Sequence, residues 1–253
     1  MLSVRVAHTQ HTVPCFSVTA LFSGQPILTT WPFGRIIKQT FGWETDTPAK
    51  GTSVARKPAD QTVSREDILR AAACIFRARG FHGTTMQQIA EAVGLQKGSL
   101  YHHIASKEEL LYEVMMSGLT QLGERLETVV ASPLPPAEKL RQLVETHIYY
   151  AAENLDIATV VLFEHRAMMS FPTWRQEYVF RRDFFESQFR QVIQEGLDSG
   201  AFCAVDVPIV AQALLGAHNW LVMWYRPEGR LSPQEIATII ADTFLRGLLA
   251  KKE

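Results

Sequence analysis

The chain has 253 residues, 47% of them hydrophobic and 20% charged, enough for one or two domains with a substantial core. It contains no uninterrupted run of 18 apolar residues, which speaks against a membrane-spanning helix. A net charge of −1 and a pI near 6.7 argue, for the whole chain, against a nucleic-acid partner; Cys15, Cys74 and Cys203 lie too far apart for metal spacing and fit a reducing cytoplasm.

Residues 1–63 differ from the rest. Residues 13–22 and 26–33 mix Thr, Ser, Pro and Gly with bulky apolar side chains without helical period, and no acid precedes Glu44. The repeated arginines and amphipathic helix of a transit peptide are missing, and residues 13–21 do not supply the ~10-residue apolar core of a secretory signal. The expectation is a disordered extension or an over-long translation start, with residues 49–58 (AKGTSVARKP) as a basic arm or a linker.

Periodicity begins at residue 65. Residues 65–79 place Ile68, Leu69, Ala72, Ile75 and Phe76 on one face, with acids in the first turn and arginines in the last, and the GFHG of residues 80–83 closes this helix. Thr84 and Thr85 then stand before an apolar stripe of Met86, Ile89, Ala90 and Val93, an N-cap leading into a second helix. Gly94 stops it, and a turn of about three residues there leads to a third helix opening at Gln96-Lys97-Gly98-Ser99, the arrangement of a helix-turn-helix. Gln96, Lys97 and Ser99 offer the donors and acceptors that meet base edges and phosphates, and Gly98 allows close approach of the backbone. Leu100 and Ile104 hold this helix to the core; His103 reads as a core histidine rather than a reader of bases.

The ILRAAACIFRARGFHGTT segment, the IAEAVGLQKGSLYHH segment and the SKEELL exit occur in unbroken order, so residues 64–111 resemble the DNA-binding domain of the TetR family of transcriptional repressors. One departure is Ile104, where the family usually has an aromatic residue after the Tyr-His-His. The resemblance implies that Thr84 or Thr85 and the region of Lys107 touch phosphates, and that Gln96, Lys97, Ser99, Tyr101 and His102 lie in or beside the major groove of an operator. A helix-start amide and a lysine ammonium are natural phosphate partners in any case, whereas Tyr101 reads equally as a packing residue with its hydroxyl on a phosphate. Local charge agrees: residues 64–107 carry six Lys and Arg against three acids, whereas residues 108–253 carry thirteen against twenty. Phosphate attraction is screened over about 10 Å, so the local balance is the better guide.

Beyond Lys107 helix follows helix: residues 108–130 as a long connection ended by Pro133-Leu134-Pro135-Pro136, then 137–153, 154–169, 172–199, 207–225 and 232–250. No strand pattern competes, so the expected fold is all-α: a three-helix DNA-binding domain over residues 64–111 followed by a helical effector-binding and dimerisation domain over residues 112–253. In the penultimate helix Ala213, Gly216 and Ala217 are small while Leu214, Leu221 and Trp224 are large; in the last, Ile236, Ile239, Ile240, Phe244 and Leu248 form a stripe. Paired across a two-fold axis these helices would form a four-helix homodimer interface, as in TetR relatives, and set two reading helices one DNA turn apart; internal core would produce the same stripes.

Met168, Met169, Phe171, Trp174, Tyr178, Phe184 and Phe185 concentrate soft and aromatic surface in the large domain, with His147, Asn219, Trp220 and Met223 able to complete a pocket, a pattern that plain core shares. Arg166, Arg175, Arg181, Arg182 and Arg190 are interleaved with them, which suits an effector with a greasy tail and an anionic head, although arginines on a helix usually form a solvated face. The runs RRDFFE (181–186), EGLDSG (195–200), LLGAHNW (214–220) and WYRPEGRLS (224–232) resemble, more loosely, those TetR-family regulators that respond to acyl-CoA thioesters of fatty-acid, sterol or aromatic-acid breakdown. That resemblance implies Arg175, Arg181 or Arg182 on the CoA portion and Trp174, Phe184 and Trp220 on the acyl chain, with Arg166 and Tyr178 alongside. A repressor of an efflux gene that senses drugs is the alternative, mildly disfavoured by the arginines. No GxSxG, HExxH, phosphate-loop or GxGxxG motif occurs, so neither an enzyme nor a cofactor is expected.

Overall fold

Ser64 starts the first helix, α1 (Arg65–Gly83), through a capping box in which its hydroxyl accepts from the Asp67 amide and the Asp67 carboxylate accepts from the Ser64 amide. The computed structural model describes residues 63–249; the expected extension and basic arm lie outside the described residues. The sequence pattern ends α1 at residue 79, but the structure carries it to Gly83 across a kink at Gly80, where φ is 72°. Thr85 caps α2 (Met86–Ala92) in a second capping box with Gln88. Gly94 follows at φ 75°, a left-handed conformation costly for residues with a Cβ, and turns the chain into α3 (Lys97–Tyr101).

The long helix α4 (Lys107–Val130) takes part in two cores. Leu110, Leu111, Val114 and Met115 pack with Ile68, Phe76, Ile89, Leu100 and Ile104, so the isoleucine that departs from the aromatic pattern fills its core position. Leu122, Leu126 and Val130 belong instead to the core of the larger helical part. The first core runs past α4, because Val160, Met168 and Tyr178 also close it.

The remaining helices are α5 (Pro136–Glu153), α6 (Leu155–Phe163), α7 (His165–Met169), α8 (Pro172–Asp198), α9 (Val207–Asn219), α10 (Leu221–Trp224) and α11 (Pro233–Leu248). Two segments expected as single helices are divided, 154–169 at Glu164 and 207–225 at Trp220. At Glu164 the backbone leaves the helical well (φ −92°, ψ 10°) and the carboxylate reaches back to α1, where its Oε1 accepts from the Phe81 amide at 3.0 Å. Lys139, almost wholly buried on α5, donates to the Val130 carbonyl (2.8 Å) and to Glu195 (2.9 Å), joining α4, α5 and α8. At Gly118 a Cβ would stand 2.6 Å from a methyl of Ile157; only glycine lets α4 and α6 approach this closely.

The stripe on the last helix divides between two environments. Ile236, Ala237, Ala241, Leu245 and Leu248 are buried in the core, and Arg141 of α5 holds Asp242 at 2.7 Å. Ile239 is exposed, as are Ile209, Ala213, Gly216 and Trp220 of the preceding segment. Val207–Trp224 is apolar enough overall to cross a membrane by composition, but it forms two helices whose apolar side chains are divided between this exposed face and the core.

Candidate functional site

The turn at Gly94 and the short α3 present Gln96, Lys97, Gly98, Tyr101 and His102 on the surface, with Ser99 half-buried among them. Leu100 points the other way and is fully buried, which fixes the roll of the helix. The Lys97 ammonium lies 5.9 Å from the Tyr101 ring centroid, so both can face one surface. His103 is half-exposed, contrary to its expected core position, because Ile104 takes that place.

The two threonines separate cleanly. Thr84 is 1% exposed and its hydroxyl donates to the Gly80 carbonyl at 2.8 Å, whereas Thr85 is exposed at the start of α2. Thr85 is therefore the one whose position suits a phosphate. The Lys107 ammonium, expected near a phosphate, donates to the carbonyls of Phe81 (2.9 Å) and Thr84 (2.8 Å) and sits 4.4 Å from the Phe81 ring centroid. It ties α4 to the end of α1, with two of its three donors used within the fold. Part of the basic balance is also internal, because Arg65 pairs with Glu113, Arg70 with Glu66 and Arg77 with Asp156.

In the larger part, a cavity of about 270 Å³ opens between α4, α5, α6 and α8. Gly118, Leu119 and Leu122 of α4 form one wall and Ile157, Ala158, Val161 and Leu162 of α6 another. Tyr178, Arg182 and Phe185 come from α8, three side chains at the spacing that shares one helix face. His147 and Tyr150 of α5 and His218 and Asn219 of α9 complete the polar complement. Exposed Arg182 marks the edge, while His165 Nδ1 and the Tyr178 hydroxyl lie 3.0 Å apart beside it.

Of the eight expected effector residues, Tyr178 and Arg182 line this cavity and the other six do not. Trp174 stacks on Tyr112 with ring centroids 5.4 Å apart, and Arg181 and Phe184 border a separate depression of about 130 Å³ against α4. Trp220 is exposed beside α9, and Arg166 and Arg175 are exposed. A 27-residue helix turns its aromatic- and arginine-rich stretch through every direction, so one cluster in sequence becomes several faces in space. His218, His165, Tyr150 and the α6 residues were not among the candidates. Their signal was a histidine at a core position on each of two amphipathic helices, His147 after Leu143 and Val144, and His218 after Leu214 and Leu215.

Those two histidines are buried and meet Nδ1 to Nδ1 at 3.2 Å, with rings at 4.9 Å and nearly perpendicular. One ring must donate its Nδ1 proton and the other accept. Burial pushes His147 down to about 4 and His218 well below its usual range, so both are neutral at pH 7. In the unfolded chain a histidine protonates near pH 6.5, so between there and about pH 4 the unfolded state binds more protons. Stability is therefore full above pH ~6.5 and falls with acidification by up to about 1.4 kcal/mol per pH unit for each histidine. Urea midpoints from pH 7 to 4.5 are expected to fall steeply for the wild type and less steeply for His147→Leu; parallel slopes would show that the pair does not titrate this way.

The cavity is joined to α1 through α6. Its Ile157 and Val161 line the cavity, its Asp156 pairs with Arg77 of α1 at 2.7 Å, and Glu164 directly after it holds the Phe81 amide. No cluster of three or more metal-ligating side chains occurs among the described residues.

Residues 68–114 match the family model described as bacterial regulatory proteins of the tetR family, and residues 133–248 the tetracyclin repressor-like C-terminal domain. The transcriptional repressor KstR2 of Mycobacterium tuberculosis is 32% identical over 174 residues, covering 68% of this chain and 86% of the relative. Among solved structures, the TetR-family regulator PfmR from Thermus thermophilus superposes with a TM-score of 0.67 at 35% identity, over 71% of this chain and 97% of its own. AibR, solved in complex with isovaleryl coenzyme A and operator DNA, gives 0.63 at 28% identity, over 70% and 96%.

Proposed function

Because the chain belongs to the TetR family of DNA-binding transcriptional regulators, we propose that it is a repressor released from a palindromic operator by an acyl-CoA thioester whose acyl body enters the cavity between α4, α5, α6 and α8. Gln96, Lys97, Gly98, Ser99, Tyr101 and His102 would meet the operator in the major groove and Thr85 a phosphate beside it. The homodimer would form through the exposed face of α9 and α11. Acting on DNA, it would work in the cytoplasm; TetR-family regulators are not enzymes.

The observation that carries the effector reading is the cavity itself: mostly apolar walls, a few polar side chains and one arginine at its edge. At about 270 Å³ it holds an acyl body and not a whole coenzyme, which leaves the phosphates outside, on the side of Arg182. AibR binds a short-chain acyl-CoA together with operator DNA, which supports the same effector class here. A drug-sensing efflux repressor remains the second reading, but an arginine at the edge suits an anionic ligand better than a cationic one.

Fluorescence anisotropy of labelled DNA from upstream of the gene, titrated with and without acyl-CoA, tests the proposal. Tight, salt-sensitive binding that the thioester releases supports it; tight binding indifferent to every acyl-CoA removes the effector class and leaves the regulator. The mechanism is linkage: a ligand that prefers a conformation with misplaced reading helices weakens DNA binding by that preference. Glu164 is expected to carry part of that coupling, since it ends the helix that lines the cavity and holds α1 by a charge-assisted bond. Glu164→Ala should therefore bind the operator yet lose about tenfold in effector-induced release; an unchanged release curve would assign the coupling to α4 alone.

A further inference from the structure

His218 is wholly buried in the cavity wall, and its Nε2 has no hydrogen-bond partner among the described residues, although the other ring nitrogen is engaged by His147. Buried polar atoms are nearly always satisfied, and one left alone loses its hydration with nothing in return. We infer that His218 Nε2 is the specificity determinant of the cavity and hydrogen-bonds an oxygen within the apolar body of the effector, so that the preferred ligand is a hydroxy- or keto-substituted acyl group rather than a plain hydrocarbon chain. The inference rests on the reading of this cavity as the effector site.

The histidine pair defines the chemistry. If His147 donates to His218, then His218 carries its proton on Nε2 and offers a donor, which fits a carbonyl or a hydroxyl oxygen. If His218 donates, its Nε2 is an acceptor and fits a hydroxyl. Neither state makes an ion, because burial keeps both rings neutral, so no charged group is called for at this end of the cavity. The rings of Phe185 and Phe189 flank the pair at 5.3 and 5.7 Å, leaving an apolar frame around a single polar point. Such a site rejects the analogue that lacks the oxygen, since that ligand leaves the buried nitrogen bare. The other polar edge, at His165, Tyr178 and Arg182, remains for the thioester and the phosphates.

The test is operator release, read by anisotropy, with octanoyl-CoA and with its oxo and hydroxy derivatives substituted singly along the chain. At least one oxygenated thioester is expected to release the operator at a concentration about tenfold lower than octanoyl-CoA, the size of one neutral hydrogen bond. In His218→Leu that preference should vanish, so that plain and oxygenated thioesters release the operator at the same concentration whatever that concentration is, and His218→Gln should retain part of the preference. Equal potency of plain and oxygenated chains in the wild type, or a preference that survives in His218→Leu, overturns the inference; the wild-type comparison decides even if the leucine variant does not fold. The same chains as free acids, followed by thermal shift, separate the two proposals. A preference for oxygenated free acids with no response to any thioester keeps His218 and discards the acyl-CoA reading, and no binding of either series discards both.

Discussion

Trp220→Glu is expected to lower affinity for a palindromic operator by about 100-fold or more, although Trp220 does not belong to the reading helices. Ile209 is 62% exposed, Trp220 53% and Ile239 54%; Ile209 lies on α9, Trp220 caps its C-terminus and Ile239 lies on α11. Gly216 and Ala213 between them are also exposed, so two such surfaces can approach closely. Leaving large apolar side chains in water is unfavourable, and in the proposed homodimer a second copy of the chain would cover them. A buried carboxylate at the centre of that contact opposes association strongly, since it gains no partner. Two half-sites bound by one dimer gain the effective concentration of the second site, and a monomer forfeits it. Mass by light scattering should fall to that of one chain, and affinity for an isolated half-site should stay unchanged. A variant that remains dimeric with full operator affinity would place the interface elsewhere.

Phe189→Ala is expected to cost about 3–5 kcal/mol of stability, a large share of the ~5–15 kcal/mol of a typical domain. Its ring is fully buried and packs against Phe185, His147 and His218 at 5.9, 6.4 and 5.7 Å. The loss combines the transfer free energy of the ring with the void left in a core whose neighbours are held by their own bonds. The His147–His218 bond also loses the wall that keeps water from it. Urea denaturation should give a lower midpoint with little change in slope; a cost below about 1 kcal/mol would mean that the core collapses to fill the site.

The sequence by itself determined the reading half of the molecule. Ser64 and Thr85 each stand three residues before a partner in a capping box, Gly94 adopts the turn its position demanded, and the apolar stripes of α1 and α2 are buried, with Leu69, Ile75 and Val93 only partly so. These are local effects, in which a residue's role depends on neighbours within one turn, so periodicity and cap chemistry expose them. The exposed set on α3 was legible for the same reason, because burying Leu100 leaves Gln96 and Lys97 outside.

Only the tertiary structure decided where the cavity lies and which side chains line it. His147 and His218 are 71 residues apart and become one hydrogen-bonded pair because α5 and α9 bring them together. Lys107, expected near a phosphate, caps the end of α1, and Glu164, within a segment expected as one helix, holds the Phe81 amide 83 residues earlier in the chain. The roll of α8 sent Trp174 toward Tyr112 and Tyr178 toward the cavity, although both belong to one aromatic stretch. Side-chain direction along a helix is set by sequence, but what stands opposite each face is set by the packing of several helices, and no local pattern encodes it.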